Sequence, residues 1–109
     1  MTAQKAIEII DDEFIEKAWY SIPRWGIVPK SIFEQCAYQM WAIKEIKDTI
    51  RLYSDKNPVD VVEIFMRQMD SYSCVDKKGS YIFSIAKDVA EHALDILIRY
   101  SREEQKWII

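Results

Sequence analysis

Glycine and proline are scarce in this chain. Two glycines and three prolines in 109 residues leave few places for tight turns. That excludes a multi-turn β fold and favours long helices joined by a few corners. The two glycines, Gly26 and Gly79, lie far apart, so there is no glycine-rich phosphate loop. Histidine occurs once and cysteine twice. Cys36 and Cys74 with the lone His92 cannot supply the usual four-ligand zinc set, and they read as reduced thiols of a cytoplasmic protein. No apolar run reaches the ~18 residues that a transmembrane helix needs, so no membrane partner is expected. The opening stretch "MTAQKAIEIIDDEF" carries acids where a signal peptide would place an unbroken apolar segment. Basic residues form no stripe and the formal net charge is −3, which disfavours nucleic acid, since phosphates call for a basic face. No cofactor is implied.

What is present is the balance of a globular domain. Half of the residues are hydrophobic and 30% are charged, and a chain of this length forms one domain, residues 1–109, with a core of its own. Apolar residues recur at three- and four-residue steps in four segments, which predicts an all-α, four-helix bundle-like fold with helices over about 3–20, 31–54, 58–72 and 80–104. In the first, Ile7, Ile10, Phe14 and Ala18 share a face. The corner "IPRWGIVPK", with Pro23 and Pro29, ends it. "SIFE", Ser31 to Glu34, has the pattern of a capping box opening the second helix, whose stripe is Phe33, Cys36, Met40, Ile43, Ile46, Ile50 and Tyr53. The first half of this helix is apolar around most of its circumference, which makes it either the central helix or part of an oligomer contact. Asn57 and Pro58 suit the cap and first turn of the third helix. Its inward residues are Val62, Phe65, Met69 and Tyr72, flanked by Val59 and Met66. The fourth carries Ile82, Ile85, Ala86, Val89, Ala93, Ile96, Leu97 and Tyr100.

The segments "NPVDVVEIFMRQMDSYSC" and "SYIFSIAKDVAEHALDIL", about residues 57–97, resemble small uncharacterised helical proteins encoded in phages and mobile elements of Firmicutes. The shared residues are mostly helix-core and capping positions and point to no chemistry. What the resemblance implies is a bacterial or phage cytoplasmic setting and a host protein as partner.

Candidates for chemistry are few. His92 has Asp88 four residues before it and Asp95 three after, on one helical face. A carboxylate beside an imidazole can hold its tautomer as a general base requires, but nothing nucleophilic converges on the trio, and a surface histidine among helical neighbours is the simpler reading. Cys36 lies on an apolar stripe, a small core residue; Cys74, near Lys77 and Lys78, reads as a free thiol. Glu13 and Glu16 in "DEFIE", with Glu45 and Asp48 in "EIKD", resemble the magnesium-binding signature of MazG-like nucleotide pyrophosphohydrolases. That resemblance implies four acids gathered on Mg²⁺, which binds substrate phosphates and helps activate water. Against it, Glu45 and Asp48 point away from the Ile43–Ile46–Ile50 stripe, and Lys44 and Lys47 beside them make an ordinary salt-bridged surface.

The aromatic residues carry the remaining signal. Four tryptophans are many for a small domain, and tryptophan and arginine are enriched at binding hot spots. Arg24, Trp25, Trp41 and Trp107 are the candidate binding residues. Trp25, with Arg24 beside it, sits between prolines that stiffen its corner. Trp107 either folds back or leaves an apolar tail for a partner. Trp19 and Trp41 lie in helices and are expected to be at least partly buried. The second helix has more apolar surface than three neighbours cover, which points to self-association. The expectation is a non-catalytic protein–protein interaction module, with the pyrophosphohydrolase as the alternative.

Overall fold

A computed structural model describes residues 1–16, 30–72 and 77–106; for residues 15, 16, 30–33, 72, 77–81, 105 and 106 it describes the backbone alone. The fold is all-α, with four helices and no strand among the described residues. They are α1 (Ala3–Asp11), α2 (Lys30–Leu52), α3 (Pro58–Tyr72) and α4 (Lys77–Lys106).

Local chemistry sets most of the boundaries. Thr2 caps α1: its backbone is extended, and its hydroxyl accepts a hydrogen bond from the Lys5 N–H at 3.1 Å. The α-helical pattern expected to run to residue 20 ends at Asp11, and the chain continues as a π-helical segment, Asp12–Glu16. At the junction the Asp12 N–H is shared between the carbonyls of Glu8 and Ile9. The wider π turn sets Phe14, fully buried, against α4 with its ring edge-on to His92, centroids 5.3 Å apart. α2 is described from Lys30, so Ser31, expected as its cap, is already helical. α3 starts as expected. The Val59 N–H donates to the Asn57 side-chain oxygen at 3.1 Å, Val61 N–H donates to the Asn57 carbonyl, and Pro58 fills the first helical position. α4 begins three residues before the expected Ser80 and extends to Lys106.

Like α2, α4 packs on each of the other three helices, most extensively on α3. It contributes Ile85, Ala86, Val89, Ala90, Ala93, Ile96 and Leu97 to the core. Its alanines let neighbours approach closely, and Ile7, Ile9, Ile10, Phe14, Ile43, Ile46, Ile50, Val62 and Phe65 fill the space around it. Between helices, Lys47 reaches Asp11 at 2.7 Å and Lys87 reaches Asp70 at 3.1 Å. The Tyr100 hydroxyl donates to Glu13 at 3.3 Å, tying α4 to the π segment. Among the described residues no polar side chain is buried and no buried side-chain donor or acceptor lacks a partner. None of the described helices is long and apolar enough to cross a membrane.

Two residues assigned to the α2 stripe are exposed. Met40 is 56% exposed and Tyr53 is 45% exposed. At about 100° per residue, Met40 lies at one edge of the Cys36–Ile43–Ile46–Ile50 stripe, about 75° from its middle. Tyr53 falls at the opposite edge, about 65° from the middle, and the helix has ended at Leu52, so Tyr53 belongs to the following turn.

Candidate functional site

The site is built where α2 meets α3. α2 closes at Leu52, with the Tyr53 N–H donating to the Thr49 carbonyl and the Lys56 N–H donating to the Tyr53 carbonyl. This tight turn points the Leu52 and Tyr53 side chains outward, next to Ile64 on the second turn of α3. Leu52 is 75% exposed and Ile64 48%. Between the helices lies a cleft of about 320 Å³ lined by Thr49, Leu52, Tyr53, Lys56, Val61, Ile64 and Gln68. Val61 is buried and forms part of its wall from the core side. The Thr49 hydroxyl is turned away to the Glu45 carbonyl at 2.7 Å, so the methyl group is free to face the cleft. Lys56 holds its ammonium 5.5 Å from the centre of the Tyr53 ring, a cation–π distance. The cleft is thus of mixed character, with apolar walls from Leu52, Val61 and Ile64 and the polar residues Thr49, Lys56 and Gln68. Charges engaged with each other surround it: Arg51 with Asp48 at 2.9 Å, and Arg67 with Glu63.

Trp41 is the expected binding residue that falls on the described surface, 38% exposed on the outer face of α2. It is exposed, where partial burial was expected, and shares that face with Met40, Lys44, Asp48 and Leu52. Arg24, Trp25 and Trp107 lie outside the described residues, as do Trp19 and Cys74.

Among the described residues, Glu13, Glu45 and Asp48 do not form a group that could hold a metal ion. Asp48 is exposed and bonded to Lys44 at 3.3 Å and to Arg51. Glu13 is turned to Tyr100 of α4. Glu45 is half-buried on α2, and the Glu16 side chain lies outside the described ones. Among the described residues no group of three His, Cys, Asp or Glu side chains could hold a metal ion. His92 is half-buried, its ring edge-on to Phe14, whereas Asp88 and Asp95 are exposed. Cys36 is a buried core residue.

Sequence reasoning missed the corner itself. A readable signal was present: Leu52 and Ile64 are large apolar residues out of phase with the stripes of their own helices. No protein-family model matches the chain, and neither a curated protein nor a solved structure is significantly similar to it.

Proposed function

We propose that this chain is a small, non-catalytic interaction module that binds another protein chain through the α2–α3 corner and the outer face of α2. The observation that carries this reading is the exposure of the large apolar side chains of Leu52, Tyr53 and Ile64 around one cleft. Neighbouring apolar residues exposed together leave water-exposed area of the kind that marks binding sites, unlike singly scattered ones. The core does not need them, since α3 is already anchored by Val61, Val62 and Phe65. A cytoplasmic phage or mobile-element setting, with a host protein as target, is the narrower form of the proposal, and it rests on the resemblance over residues 57–97. The placement of Glu13 and Asp48 gives the pyrophosphohydrolase alternative no support.

The test is affinity capture with the full chain as bait, comparing wild type with Leu52→Asp and Ile64→Asp, and with Gln4→Asp as an exposed control on α1. The reading expects a stoichiometric protein partner that both corner variants lose and the control keeps. Partners retained equally by all four baits would refute it.

A further inference from the structure

The exposed face of α2 has a charge and shape pattern that matches itself in reverse. A helix advances about 100° and 1.5 Å per residue. On that count Ala42, Ile43, Ile46 and Ile50 lie on the buried side of α2, and Trp41, Lys44 and Asp48 lie on the opposite side, all three exposed. Trp41 and Leu52 are separated by about three full turns, so they sit in one line roughly 16 Å apart. This line runs along the flank of α2 that borders the cleft, because the cleft is walled by Thr49 and Leu52 of α2 and by Ile64 of α3. Lys44 and Asp48 lie between them near the centre of the face.

We infer that the occupant of this surface is a second copy of the chain, packed with α2 antiparallel to α2 of the partner subunit about a twofold axis level with Ile46. This rests on the reading of the α2–α3 surface as a protein-binding site and names what binds there. The twofold operation keeps each flank on its own side and reverses the order along the helix. Trp41 then comes level with Leu52 of the partner subunit, at the mouth of the partner's cleft, and the indole can seat in it. The same contact recurs at the other end. In the middle, Lys44 comes level with Asp48 of the partner subunit, and Asp48 with Lys44 of the partner subunit. The pairs that Lys44 and Asp48 make within one chain become a four-charge cluster of alternating sign. A parallel arrangement would instead set Lys44 against its own copy and Asp48 against its own, which like charges oppose. A large aromatic anchor entering a cleft walled by Leu52 and Ile64, with paired charges beside it, is the make-up of an interface hot spot.

Sedimentation equilibrium of the full chain at low ionic strength tests this. Wild type is expected to reach dimer mass. Trp41→Ala should raise the dissociation constant by about thirtyfold or more, the scale of a hot-spot residue. Lys44→Glu alone and Asp48→Lys alone should each weaken it roughly fivefold or more. An equimolar mixture of these two charge variants should recover dimer, since each then meets an opposite charge across an antiparallel contact. All the substituted positions are exposed, and an unchanged far-UV circular dichroism spectrum verifies that each variant is folded. A wild type that stays at monomer mass over the whole concentration range overturns the inference. So does a mixture that associates no better than either variant alone. If the wild type is monomeric while Leu52→Asp still loses a captured partner, the self-pairing fails and the broader binding role stands.

Discussion

Replacing Phe14 with alanine removes the largest of the fully buried side chains and tests the least regular part of the fold. Phe14 is on the π segment, is 0% exposed, and meets the His92 ring edge-on at an interplanar angle of 85°. Truncating a buried phenylalanine costs about 3–5 kcal/mol, because transfer energy is lost and the cavity collapses only in part. A domain of this size has a total stability of only about 5–15 kcal/mol, so the variant should lose a large share of it. Its thermal midpoint should fall by roughly 10 °C or more, at about 4 °C per kcal/mol. Urea unfolding followed by far-UV circular dichroism measures the loss directly, and Phe14→Leu should recover much of it, because most of the buried volume is kept. A double-mutant cycle with His92→Ala isolates the ring–ring contact, expected at about 0.5–1.5 kcal/mol. A loss below about 1 kcal/mol for Phe14→Ala would refute the packing of the π segment onto α4. A coupling indistinguishable from zero would refute the specific contact.

Two further outcomes follow from named contacts. Asn57→Ala removes the side-chain acceptor of the Val59 N–H at the start of α3 and should cost about 0.5–2 kcal/mol in urea unfolding, while Asn57→Ser, which keeps an oxygen acceptor, should cost much less. Lys87 has its pKa raised above the ordinary 10.5, first by the hydrogen bond to Asp70 and then by that carboxylate's charge. The folded state therefore holds this proton more tightly than the unfolded chain. The resulting stabilisation is complete below about pH 10.5 and is lost as pH rises through the raised value. Asp70→Asn should flatten this alkaline fall in thermal midpoint without altering the profile near neutrality, and an unchanged alkaline slope would count against the pair.

Local signals were the legible ones. The Asn57–Pro58 start of α3 was readable because the cap oxygen and the fixed proline φ act within one turn. Core membership of Ile43, Ile46, Ile50, Ile96 and Leu97 followed from helical phase alone. Met40 and Tyr53 were misplaced. Met40 lies at the edge of the stripe, and Tyr53, at the opposite edge, also falls beyond the end of its helix. Ala86 and Ala93 of α4 were on the expected stripe, whereas Ala90, also fully buried, was missed because a lone alanine looks weakly hydrophobic in sequence. Phe14 with His92 and Glu13 with Tyr100 are contacts across the whole chain, which no local pattern encodes. The corner site depends on a turn that exposes Leu52 and Tyr53 beside Ile64 of the next helix, a relation that appears only once both helices are placed.

Hydroxyl-radical footprinting of the chain, free at low concentration and then in its complex, tests the central claim most directly. The oxidation rates of Trp41, Leu52 and Tyr53 should fall together in the complex, while those of the partly buried Met69 and Tyr100 stay unchanged. A complex that leaves Leu52 and Tyr53 as reactive as in the free chain would contradict the assignment of the α2–α3 corner as the binding surface.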